Sequence, residues 1–97
     1  MYENLPGGDI LEQGLLALSM REVNENSLLL LMGAYRLGRC GIHITSLDVG
    51  TLFPEDTLYK LLTNKHGDQA YRMYRSLTRR LVSLENALES LQNKNAH

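Results

Sequence analysis

Asp68–Gln92 reads DQAYRMYRSLTRRLVSLENALESLQ, the longest uninterrupted helical pattern in the chain. Ala70, Tyr74, Leu77, Leu81, Leu84, Leu88 and Leu91 follow one another at spacings of 4, 3, 4, 3, 4 and 3. That is a heptad seam, the narrow apolar stripe a helix buries against another helix. Asp68 is placed to N-cap it, with Gly67 breaking whatever helix precedes it. No Pro or Gly follows Asp68. Such a helix would be about 37 Å long at 1.5 Å per residue. That is long for a domain of this size, so part of the seam is expected to meet another chain. The alternative is that it closes the chain's own core.

The remaining pattern is also helical. Residues 1–8 read as a flexible arm, with Pro6-Gly7-Gly8 as a turn. Asp9 is positioned to cap a first helix, ILEQGLLALSMREV, with Glu12 three residues on as in a capping box. Ile10, Leu11, Leu15 and Leu18 share one face of it. Gly14 weakens that helix by about 1 kcal/mol relative to Ala, and would admit a close neighbour. The polar run Asn24–Ser27 leads into a second helix, about Ser27–Leu37, apolar almost all round through Leu28–Met32 and so central to a core or a dimer. Gly41–Gly50 is compatible with a short strand or one face of a short helix. Pro54 opens another helix, Pro54–Lys65, with Glu55 and Asp56 at its positive end and Leu58, Leu61 and Leu62 inward. The fold class is therefore all-α: a single helical domain, 1–97, of four to five helices, with the long C-terminal helix at 68–92 and a helix-packed or intertwined dimer as the expected assembly. Candidate interface residues are Leu28, Leu31, Tyr35, Tyr74, Leu77, Leu81, Leu84, Leu88 and Leu91.

Composition narrows the function. Hydrophobic residues make up 43% and charged residues 22%, which is ordinary for a globular chain, and the formal net charge is −1. Any nucleic-acid contact must come from a local patch or be shared with a partner. One cysteine, Cys40, excludes an intrachain disulfide framework and fits a reducing compartment. Arg39 beside it would lower the thiol pKa if exposed; a small half-buried residue after a helix end is the plainer reading. MYENLPGGD lacks the features of a signal peptide, and the longest apolar run is far too short for a membrane span. The expectation is a cytoplasmic protein with no membrane contact.

The chemistry of an enzyme is not visible. His43, His66 and His97 are far apart in sequence, so neither a metal site nor a catalytic histidine is expected. Gly33, Gly38 and Gly41 form no nucleotide-binding loop, and no cofactor is expected. The basic residues are more informative. Arg72, Arg75, Arg79 and Arg80 fall within nine residues, and Arg72, Arg75 and Arg79 form a stripe outside the seam. Lys60 and Lys65 lie just upstream. Such a stripe binds DNA phosphates, pairs with an acidic partner, or remains a solvated face. Ile42–Gly50 followed by Pro54–Lys65 also fits a loose helix–turn–helix, without a strict register.

Four stretches carry a family likeness: DILEQGLLAL at Asp9–Leu18, AYRLG at Ala34–Gly38, LFPEDTLYKLLTN at Leu52–Asn64 and SLTRRLVSLENAL at Ser76–Leu88. In this order the chain resembles FlhD, the small subunit of the bacterial flagellar master activator, and its conjugation-activating relatives of the AcaD and SetD type. The resemblance implies an all-helical dimer that joins a larger, zinc-binding FlhC-like subunit. It implies a complex that binds promoter DNA and recruits RNA polymerase, with the zinc in the partner. Arg36 and Asn64 fall at family positions tied to activity. The expected function is thus a small helical subunit of a DNA-binding transcription activator. A helical adaptor, a secretion-type chaperone or an antirepressor with no DNA role is the alternative.

Overall fold

The computed structural model describes residues 4–44 and 53–95. Among them there are five α-helices and no strand: α1 (Gly8–Ser19), α2 (Glu25–Met32), α3 (Ala34–Arg39), α4 (Pro54–His66) and α5 (Ala70–Asn95), with a 3-10 turn over Gly67–Gln69 before the last. The part of Gly41–Gly50 from residue 45 onward, and with it the candidate helix–turn–helix, lies outside the described residues; Gly41–Ile44 are irregular.

The sequence pattern explains why these elements form and how they pack. α2 is apolar on every side because it is surrounded: it packs against α1, α4 and α5. Leu28, Leu29 and Leu30 are fully buried. Each such side chain contributes about 1.5–3 kcal/mol by leaving water. Asn24 starts α2 with a reciprocal cap. Its Oδ1 accepts from the Ser27 amide at 2.9 Å, and its own amide donates to Ser27 Oγ at 2.9 Å. Ser27, though wholly buried, is thereby satisfied.

α1 meets α2 at Gly14. A Cβ there would stand 2.6 Å from Leu30 Cδ1 and 2.9 Å from the Asn26 carbonyl oxygen. The glycine is what lets the two backbones come so near. Beyond the C-cap of α1, Met20, comes Arg21, whose φ of 56° places a non-glycine residue in the left-handed region. There the Arg21 amide donates to Leu18 O and the Glu22 amide to Ala17 O, closing the helix end.

The expected second helix is in fact two. It breaks at Gly33, so the continuous reading from Ser27 to Leu37 is corrected to α2 and α3. The cause is α5. A Cβ at position 33 would lie 2.7 Å from Glu85 Oε2 and 3.2 Å from Leu81 Cδ1, so the chain turns there against the long helix.

The α1 start also differs from expectation. Gly7, at φ 72°, is the N-cap, which places Asp9 inside the first turn of the helix rather than at the cap position expected for it. Of the arm expected over 1–8, residues 1–3 lie outside the described residues, and 4–8 make contacts with the helices. The Gly8 amide donates to Leu5 O at 2.9 Å, and Leu5 packs on the core. Gly7 lies so near α5 that a Cβ would stand 2.9 Å from Arg80 O. Likewise Asp68 sits inside the 3-10 turn and makes no capping bond.

α5 has 26 residues, so it runs about 39 Å through a molecule 46 Å in its longest direction. Its seam closes the chain's own core. Leu81, Leu84 and Leu88 are buried there with Leu28, and Ala70 with them. Four of the interface candidates, Leu28, Leu81, Leu84 and Leu88, are thus covered within the chain itself. Leu31, Tyr74 and Leu77 are half-buried and pack on the same cluster, Tyr74 edge-on to Tyr59 of α4 at 5.7 Å. Of the interface candidates, Tyr35 and Leu91 are exposed.

A candidate anion-binding face on the long helix

α5 buries one side and has 3.6 residues per turn, so Arg72, Arg75 and Arg79 stand roughly 145–175° around it from the Leu81–Leu84–Leu88 seam. All three are exposed. None has an ion-pair or hydrogen-bond partner among the described residues. Arg75 lies over the Tyr71 ring with its guanidinium carbon 5.9 Å from the centroid, a cation–π contact. Tyr71, Arg72, Arg75, Ser76, Arg79 and Arg80 together frame an open furrow of about 490 Å³.

The other basic candidates are arranged differently. Arg80 lies at the flank of the helix and donates through Nη2 to both oxygens of Asp9, at 2.6 and 2.7 Å. This guanidinium holds the Asp9 carboxyl below its usual range. The pair ties α1 to α5. Lys65 Nζ donates to Glu25 Oε1 at 2.8 Å, tying α4 to α2. Lys60 is exposed on α4, a different element from the stripe. Asn64 is exposed near the end of α4.

Arg36 is a cross-brace. Its Nε donates to Glu89 Oε2 at 3.0 Å, Nη1 to Glu85 Oε1 at 3.0 Å, and Nη2 to Glu89 Oε1 at 2.8 Å and Asn86 Oδ1 at 2.9 Å. The planar guanidinium thus spans one turn of α5 from α3. Glu85 is only 4% exposed, and burial pushes its pKa up. Glu89, bonded by Arg36, is held below the usual carboxylate range. The brace also has an electrostatic effect on the stripe. Both acidic residues of α5 are drawn to the α3 side, so the outward face from Arg72 to Arg79 carries cations with no carboxylate of the same helix among them. Sequence reasoning did not find this brace. Its one trace is Glu85 and Glu89 at i, i+4 on a helix, a like-charged pair that asks for a cation.

Cys40 is half-buried. Burial raises its pKa, the opposite of activation by Arg39. His43 and His66 are exposed, and His97 lies outside the described residues. Among the described residues no group of three or more His, Cys, Asp or Glu could hold a metal ion, and no helix is long and apolar enough to cross a membrane.

No family model, curated protein or solved structure matches this chain.

Proposed function

We propose that this chain is the small helical subunit of a DNA-binding transcription activator, working with a larger FlhC-like partner and holding DNA through its long helix. The observation that carries this reading is the outward stripe of Arg72, Arg75 and Arg79, exposed and without ion-pair partners among the described residues, on a rigid helix anchored by its opposite side. A guanidinium has a planar fork of donors that matches a phosphate. Three of them in two turns give a local positive field that the net charge of −1 conceals.

Three phosphates neutralised would give a slope of log K against log salt of about −2.7. Fluorescence anisotropy with a labelled promoter duplex, on the chain alone and on the chain co-expressed with the larger subunit, measures it. Arg75→Glu with Arg79→Glu should abolish binding and leave the size-exclusion profile unchanged. Binding that is absent in both preparations, or insensitive to salt, refutes the proposal.

A second reading, a protein adaptor with no DNA role, is favoured by a different surface. Leu16 (60% exposed) near the end of α1, Met20 (59%) at its C-cap and Val23 (42%) in the link to α2 are large apolar side chains left exposed within eight residues. Apolar side chains of that size in series mark contact surfaces more often than solvated ones. Loss of partner capture on Leu16→Ser with Met20→Ser, together with no DNA binding, would select this reading.

A further inference from the structure

We infer that the furrow on α5 is a seat for one phosphate group, with Ser76 as its floor. This deepens the nucleic-acid reading and rests on it. On a helix surface the neighbours of a residue lie at i±1, i±3 and i±4. Around Ser76 those places include Arg72, Arg75, Arg79 and Arg80. A short hydroxyl-bearing side chain is thus ringed by four guanidinium-bearing ones, which stand above it and make the concavity. The hydroxyl of Ser76 has no hydrogen-bond partner among the described residues. That of Thr78, two residues on, is turned back to the Arg75 carbonyl at 3.0 Å. Ser76 is exposed, so its donor faces the furrow's opening rather than the core.

The ring is graded. Arg80 is fixed by Asp9 and forms a held wall whose charge is offset. Arg75 is steadied by Tyr71. Arg72 and Arg79 have no such contact and are the side chains able to close on a ligand. A tetrahedral oxyanion resting on the Ser76 hydroxyl would accept from it and from guanidinium N–H groups on either side. These charge-assisted hydrogen bonds exceed neutral ones in strength. A phosphodiester of the DNA backbone presents that group, and so does free phosphate.

The test separates a shaped seat from charge alone. Ser83 lies on the same outward face two turns on and is exposed; by helical spacing it borders only the Arg79–Arg80 end of the ring and has no arginine on its C-terminal side, so it carries half of the ring where Ser76 carries all of it. Ser76→Asp and Ser83→Asp therefore make the same charge change on the same face. With a labelled DNA duplex and the full chain, with its co-expressed partner where that is required for binding, Ser76→Asp should weaken affinity by about tenfold or more, because a carboxylate fills the seat, and Ser83→Asp by no more than about threefold. Ser76→Ala keeps the charge and favours the helix, so it folds; it should weaken binding by about threefold through loss of one hydrogen bond. In a second arm, inorganic phosphate is titrated at fixed ionic strength into the labelled chain and followed by NMR. The Ser76 amide and the Nε–H signals of Arg72, Arg75 and Arg79 should move, ahead of those of Arg21 and Arg39.

Equal effects of Ser76→Asp and Ser83→Asp, with Ser76→Ala silent, overturn the seat and leave the nucleic-acid reading standing. Shifts spread evenly over all the arginines also overturn it. Local shifts with phosphate, but no binding of the duplex, keep the seat as a free-phosphate site and remove the nucleic-acid reading.

Discussion

Gly14→Ala sets two known effects against each other at one site. In a helix interior, alanine is favoured over glycine by about 1 kcal/mol. Considered alone, α1 should gain from the change. The structure puts the new methyl 2.6 Å from Leu30 Cδ1, 2.7 Å from Leu30 Cγ and 2.9 Å from the Asn26 carbonyl oxygen. Real Cβ contacts essentially never fall below 3.0 Å, so something must move. Leu30 is fully buried and meets the methyl near its branch point, and the carbonyl belongs to the first turn of α2. Neither is the far end of a free side chain. Overpacking of this kind costs about 1–3 kcal/mol, and a clash with backbone belongs at the upper end. The net expectation is a loss of about 1–2 kcal/mol. For a chain of this size that lowers Tm by roughly 4–16 °C. Gly38→Ala is the internal control. It is also helical, and nothing lies within 4 Å of the place its new methyl would take, so only the propensity remains and Tm should rise by several degrees, about 4–8 °C per kcal/mol. Thermal unfolding followed by circular dichroism, at one protein concentration, measures both. A Gly14→Ala chain as stable as its parent, or more so, would refute the close approach of α1 and α2.

Three further outcomes are expected. Leu84→Ala, at a fully buried seam position, should cost about 2–5 kcal/mol in denaturant unfolding, while a surviving fold with only its self-association changed would return the seam to an interface. Arg21→Gly should stabilise the chain by about 1 kcal/mol, because the left-handed conformation at the end of α1 strains any residue with a Cβ; an unchanged denaturant midpoint would place Arg21 outside that region. The pH dependence has two opposing limbs. Asp9 and Glu89 have lowered pKa values, so the stability they contribute is present above about pH 4 and lost as pH falls through their folded values. Glu85 has a raised pKa, so the fold loses stability as pH rises from about 4 through its folded value. Asp9→Asn should flatten the acid limb and Glu85→Gln the other; the reverse pairing in urea titrations across pH 2–8 would contradict the Arg80 and burial assignments.

Local pattern and distant partner had unequal shares in making the fold readable. The long helix announces itself because a strict 3–4 spacing of Ala70, Tyr74 and the leucines has one structural meaning. The all-round apolarity of Leu28–Met32 likewise placed α2 at the centre. The break at Gly33 was hidden. A glycine inside an apolar run looks like a tolerated interior residue, and its reason, Glu85 and Leu81 arriving from α5, lies some 50 positions away in the chain. Asp9 had every local feature of a cap, but Arg80, 71 residues on, takes its carboxylate. The stripe shows the same division. Periodicity alone sets Arg72, Arg75 and Arg79 opposite the seam, whereas which cations are already paired depends on contacts such as Lys65–Glu25, 40 residues apart. The length of the last helix suggested a second chain across the seam; α2, α3 and α4 provide that cover instead.

The Arg36 brace and the turn at Gly33 also amount to a rule of inheritance. Position 33 has no room for a methyl because the Glu85 carboxylate is there, and Glu85 is there because Arg36 holds it together with Glu89. A drift at any one of the four leaves the others mismatched: a larger residue at 33 evicts the acid, and a lost acid strands the arginine. These positions should therefore change together or not at all. A residue without a side chain, an arginine three places later, and two acids one helical turn apart on the last helix form a sparse signature by which a chain folded in this way can be recognised.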